Sequence, residues 1–344
     1  MKPSGIGGQA VMEGVMMKNG DAYAVAVRLP NGEITVKKEE YKGIVKGKKI
    51  LNRPFVRGVF NFIDSMILGM KTLTYSADLA MAEEKVENAG KSDETGETTK
   101  GGKKESDNGL MMTLTVVLAL VLAVGLFMVL PVLLAGLLRR FITSSFLITL
   151  IEGLIRIGIF LLYVVLISKM EDIQRVFMYH GAEHKCINCI EHGLELNVEN
   201  VKASSRLHKR CGTSFLLIVM VVSVLVTMFV RIETVWLRVL SRIILLPVIA
   251  GVSYEVLKLA GRSESPIITA ISKPGLMMQK LTTREPDEQM IEVAIQSVEA
   301  VFDWRAFVSE ESDSIACKSA ADGVVGDSVG NDRTCADEAK DSEV

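Results

Sequence analysis

The chain has 344 residues, 49% of them apolar, and 41 acidic against 39 basic residues give a formal net charge of −2. Its mean hydropathy is positive, which is high for a soluble protein. No overall basic field exists to gather polynucleotide, so nucleic acid is excluded as an expected partner.

Residues 1–53 read as a small β-rich unit. From Gly8 to about Glu40 apolar and polar residues alternate, and Asn31-Gly32 is a hairpin signal between Ala22–Leu29 and Glu33–Lys38. No cleavable signal peptide is expected, because Met1 to Gly20 contains no continuous apolar stretch. Residues 54–84 predict an amphipathic helix, with Val56, Val59, Phe60, Ile63, Ile67 and Met70 on one broad apolar face that requires a protein or membrane partner. Residues 85–109 are Lys-, Glu-, Gly-, Ser- and Thr-rich and read as a flexible linker.

Four transmembrane helices are expected, as two hairpins. Leu110–Leu138 and Phe141–Ile167 form the first (110–168), with a kink or tilt at Pro131, and about Ser214–Val230 and Val235–Ala260 form the second (214–260). At about 1.5 Å per residue each is near or above the length that a bilayer core of roughly 30 Å needs. The loop at 169–213 is long and polar. It carries Lys169, Arg175, Lys185, Lys202, Arg206, Lys209 and Arg210, so the positive-inside rule puts it and both termini in the cytoplasm of a multi-pass plasma-membrane protein. Residues 261–302 predict a cytoplasmic segment with a short surface helix near its end, and 303–344 an acidic, disordered tail. The fold class is therefore a predominantly α membrane protein with a small N-terminal cytoplasmic β unit and amphipathic helices.

The chemistry concentrates in the polar loop. All four histidines of the chain and three of its five cysteines, Cys186, Cys189 and Cys211, fall there, a distribution suited to a reducing compartment rather than a disulfide framework. His180-Gly-Ala-Glu183-His184 has the form H-x-x-E-H, which puts two imidazoles on one helix face with a carboxylate beside them. In metalloproteases of that pattern the imidazoles ligate zinc and the carboxylate is the general base. His208-Lys-Arg-Cys211 follows, with Cys211 near a helix N-terminus that favours thiolate. Two ligand sets remain open. His180 and His184 with His208 or Cys211 make a catalytic site with Glu183 as base, whereas Cys186, Cys189, His208 and Cys211 make a closed structural site. His192 reads as part of a solvated turn at Gly193.

Glu152 and Arg156 lie one turn apart within a span, as a structural ion pair or the lining of a polar cavity. Glu255 is a candidate further metal ligand, or a partner that orients a ligand, against a carboxylate neutralised at the interface by Lys258 or Arg262. Glu13, in a Gly- and Met-rich stretch, is a further candidate lining the site, against an ordinary β turn.

The segments GGQAVMEGVMM, YHGAEHK and HKRCGTSF resemble the signature segments of the YqhQ-like family of bacterial membrane proteins, from about Gly7 to Phe302. That resemblance implies a predicted metal-dependent enzyme with no assigned substrate, and carries over His180, Glu183, His184, His208 and Cys211. The expected function is a membrane-embedded hydrolase using a divalent metal, zinc, on a membrane-associated peptide or lipid-like substrate at the cytoplasmic surface. Its rivals are a noncatalytic adaptor with a structural zinc site, which would dock a protein partner, and a metal or small-solute transporter.

Overall fold

The computed structural model describes residues 3–44, 46, 51, 53–89, 104–230, 232, 234–260 and 265–310. Most of the expected linker, and the acidic tail from residue 311 on, lie outside the described residues.

The N-terminal unit is a four-stranded antiparallel meander, β1 Gly7–Val11, β2 Gly14–Asn19, β3 Ala22–Arg28 and β4 Ile34–Glu40, in the order β1-β2-β3-β4. The Asn31-Gly32 signal marks the β3–β4 turn, where Gly32 takes φ 90° and the Leu29 amide donates to the Glu33 carbonyl at 2.8 Å. Alternation sends the two sides of each strand into different cores. Val15, Met17 and Ala26 face α5 (Glu171–Glu191) and α10 (Glu288–Val301), while Met16, Val25 and Val27 face Leu68 of α1 (Val56–Ala89). Burial on both faces explains why β3 is almost wholly apolar.

Three helical runs are long and apolar enough to cross a membrane: Leu114–Arg140, Ser145–Ile167 and Trp236–Ala260. The first is composite. It joins α2 (Lys104–Val124), a π turn at Gly125–Val129, α3 (Leu130–Leu137) and a tight last turn at Leu138–Arg140. Pro131 has no amide to return to the preceding turn, and the wider π turn just before it accommodates the ring. Phe127 within that turn meets Tyr163 of α4 (Ser145–Ile167) edge to face at 5.5 Å. The fourth expected span is α7 (Gly212–Met228), apolar but only 17 residues. At about 1.5 Å per residue it covers roughly 26 Å, short of the hydrocarbon thickness. It packs between α4 and α8 (Val235–Ala260).

After α5 comes the short α6 (Val198–Ala203), and after α8 the helix α9 (Pro266–Thr282), which the sequence reading leaves undefined. The helix near the chain's end, α10, is more than a surface element, because Met290, Ile291, Val293, Ala294 and Val298 are sunk into the core beneath the sheet. Residues 304–310 add a further helical turn, and Trp304 closes the same core. On α1 the apolar residues divide. Leu68 points into the sheet, and Met66, Ile67 and Met70 remain exposed.

Ile291 is fully buried between the sheet and α5. Ile291→Ala should therefore cost about 2–5 kcal/mol, read as an earlier denaturant midpoint in detergent; an unchanged midpoint would show that α10 does not belong to the core.

Candidate metal centre

Helix α5 starts with Glu171 and Asp172 at its positive end and places His180, Glu183 and His184 about one turn apart on the side facing a cavity of about 570 Å³. The two imidazole rings lie 4.4 Å apart. Cys211 is the N-cap of α7, and its sulfur accepts from the Thr213 amide at 3.4 Å. Among the described residues, donor atoms of His180, His184 and Cys211 form one group within 4.8 Å of one another that could hold a metal ion.

The outer nitrogen of each ring is engaged. His180 Nδ1 contacts the Thr282 carbonyl at 2.9 Å, and His184 Nδ1 the Arg206 carbonyl at 2.6 Å. A carbonyl only accepts, so both Nδ1 atoms carry the proton and both Nε2 lone pairs are free to ligate. His180 Nε2 lies 3.3 Å from the Cys211 sulfur. Burial, the largest influence, holds the His184 pKa below its ordinary value and so keeps the ring neutral, as a ligand must be.

Two returning segments deliver those carbonyls. Gly181 lets the chain at Arg284 pass directly over α5, since a Cβ there would stand 2.0 Å from the Arg284 carbonyl oxygen, and the Arg284 amide donates to Phe177 O at 2.9 Å. The 202–208 segment is tied down by buried polar groups of α5. Lys185 donates to the Lys202 and Ser204 carbonyls at 2.8 Å, and Asn188 to those of Ser205 and Leu207. Gln279 of α9 bonds both the amide and the carbonyl of His208 and reaches the Ser214 hydroxyl.

Glu183 borders the same cavity from beneath β1. Gly8 approaches so closely that a Cβ would meet Glu183 Cγ at 2.8 Å, and the Gly8 amide hydrogen-bonds the carboxylate. Burial pushes the Glu183 pKa up to about 7, against the opposing pull of His180 and that amide. The carboxyl can thus take up or release a proton near neutral pH.

The other sequence candidates lie elsewhere. His208 borders the cavity, but its Nε2 faces Glu191 at 3.4 Å and it is not in the three-residue group. Cys186 and Cys189 do not join it either. Two and five positions after His184 on a helix of 3.6 residues per turn, they fall on the far side of α5, inside the core with α10. Burial raises the Cys186 thiol well above its ordinary value and pushes Cys189 up to about 11. Glu13, at φ 50° in the β1–β2 turn, pairs with Arg175 at 2.5–2.6 Å, and Glu255 pairs with Arg57 of α1. His192 caps the end of α5 at the Gly193 turn.

Glu191 is the residue the sequence reading passed over. It is buried and receives Ser4 by amide and hydroxyl at 2.8 Å, Arg210, and His208, so it joins the N-terminal segment to the loop carrying Cys211. Its only sequence signal is the helical spacing from His184, two turns back.

Residues 53–304 match the family described as protein of unknown function (DUF1385). The chain is also similar to the "Uncharacterized protein YqhQ" of Bacillus subtilis (strain 168), 38% identical over 300 residues, which cover 86% of this chain and 91% of that protein. No solved structure matches the chain.

The Glu191 clamp sets an acid limit. Burial by itself would raise the pKa, but hydrogen bonds from His208 and Ser4 and the Arg210 charge outweigh it and hold the value at about 2, below the roughly 4.3 of an unfolded glutamate. The stabilisation is therefore complete above about pH 4 and lost as the pH falls towards 2. Thermal unfolding of wild type should weaken steeply through that window, while Glu191→Gln starts lower and falls less steeply; parallel curves would contradict the clamp.

Proposed function

Since the chain belongs to the DUF1385 family of proteins of unknown function, its reaction must be argued from its site, and we propose an integral membrane zinc hydrolase that works at the cytoplasmic surface. The observation that carries this reading is the convergence of His180, His184 and Cys211 beside a buried carboxylate in an accessible cavity. Two imidazoles and a thiolate match a catalytic zinc set, which takes three protein ligands and leaves a fourth position for a reactant. The fit is favoured by the two carbonyl anchors, because metal-bound histidines donate their second N–H to such partners.

Zinc, when bound, supplies Lewis acidity to a carbonyl or phosphoryl oxygen. This chain's residues supply the rest. Glu183 accepts a proton from the attacking water and passes it to the leaving group, a task suited to a carboxyl near pKa 7. Gly8 orients the carboxylate through its amide. Phe62, Phe215, Leu216 and Leu257 form an apolar wall where α1, α7 and α8 meet, and an acyl or apolar peptide segment leaving the bilayer would lie against it.

The membrane reading extends to α7. Lying between α4 and α8, it would be the fourth span, shortened because Cys211 begins it at the metal. The basic loop supports a cytoplasmic position for the site and both termini. The exposed Met66, Ile67 and Met70 of α1 would rest on the bilayer surface.

Metal analysis and turnover test the proposal together. Purified wild type should hold one zinc per chain and cleave members of a panel of quenched apolar peptides or fluorogenic esters in liposomes. Glu183→Gln should keep the zinc and lose about 100-fold or more in turnover, and His184→Ala should lose the zinc. Undiminished turnover in Glu183→Gln would remove that residue as base, and zinc retained by His184→Ala would remove the ligand set.

A further inference from the structure

A second polar site lies at the other end of α7 from Cys211, roughly 24 Å away at about 1.5 Å per residue. There a cavity of about 270 Å³ is bordered by Arg139, Thr149, Thr227, Arg238, Ser241 and Arg242. It opens where the ends of Leu138–Arg140 and α7 come near the starts of α4 and α8.

Among the described residues the charges around it do not balance. Arg242, 4% exposed, is ion-paired with Glu152. Arg156 shares the same carboxylate at 3.1 Å and also donates to the Ser223 hydroxyl at 3.1 Å, and Arg238 approaches the second carboxylate oxygen at 3.7 Å. Among the described residues, one carboxylate thus meets three guanidinium groups, with the exposed Arg139 at the rim. Both Nε and Nη1 of Arg242 are buried without a hydrogen-bond partner. Excess positive charge between apolar helices is costly, and buried donors ordinarily find acceptors.

We propose that this cavity binds the phosphate group of a membrane lipid headgroup or of free inorganic phosphate. A tetrahedral oxyanion provides several acceptors for planar guanidinium forks, which is why arginine recurs in such sites. Arg139 receives the anion at the rim, and Arg242, two turns inside α8, supplies the free donors that hold it, while Arg238 is tied to the Ile232 carbonyl and shapes the wall. The hydroxyls of Thr149, Thr227 and Ser241 now donate to carbonyls of their own helices at 2.8–3.0 Å and keep the wall polar. The volume exceeds that of a phosphate ion, which leaves room for the ester substituents of a lipid. The site is independent of the metal centre and of any hydrolase activity.

Full-length protein, delipidated in nonionic detergent and free of phosphate, is titrated in separate arms with inorganic phosphate, phosphatidylglycerol and a phosphate-free galactolipid, followed by native mass spectrometry and thermal shift. Saturable binding of inorganic phosphate identifies the free ion, and binding of phosphatidylglycerol without it identifies the lipid; the galactolipid should fail in either case. Arg242→Gln should weaken binding about tenfold or more while leaving the zinc content unchanged. Should that variant not fold, Arg139→Gln, at an exposed position, should still weaken binding and its salt dependence. No saturable phosphate in either arm, equal retention of the galactolipid, or binding indifferent to these substitutions would overturn the proposal.

Discussion

The candidate metal centre depends on one constraint: two backbone carbonyls, from segments 22 and 102 residues away along the chain, fix the histidine rings of a single helix. Thr282 and Arg206 each accept an Nδ1 proton, which turns both Nε2 atoms towards the Cys211 sulfur. A helix alone would bring His180 and His184 to the same face, but it would leave their rings free to rotate. The carbonyls remove that freedom, at the cost of requiring α9 and the 202–208 segment to be held in place.

Much of the surrounding structure supplies that holding. Gly181 admits the segment beyond α9, Gln279 grips His208 front and back, and Lys185 and Asn188 donate to loop carbonyls and so hold the loop down. From the opposite side β1 brings Gly8 onto Glu183, and the segment before it brings Ser4 onto Glu191. The small sheet is thereby part of the site, and its two faces are covered by helices that lead away to the apolar bundle. Gly8 of the N-terminal GGQAVMEG segment has its physical reason in this contact, where a side chain would displace the carboxylate, whereas a Cβ at Gly14 would meet the Ala26 carbonyl oxygen of β3.

Features that repeat along the chain were legible in the sequence. The apolar runs, the Asn31-Gly32 turn and the one-turn spacing of His180 and His184 each reflect a local periodicity that the fold retains. Tertiary arrangement was not. The C-x-x-C spacing of Cys186 and Cys189 suggests a ligand pair, yet their phase on α5 carries them into the core. Thr282 and Arg206 act through main-chain oxygens, which no side chain advertises. Glu152 and Arg156 read as an ion pair or the lining of a polar cavity, and only the return of α8 adds Arg238 and Arg242 to the same carboxylate. The length of α7 depended on where Cys211 ends the polar loop.

X-ray absorption at the zinc edge of zinc-loaded full-length protein tests the central claim most directly. Ring orientation by the two carbonyls predicts two nitrogen neighbours at about 2.0–2.1 Å and a single sulfur at about 2.3 Å. A shell with several sulfurs, a shell without sulfur, or a chain that takes up no stoichiometric metal would contradict it.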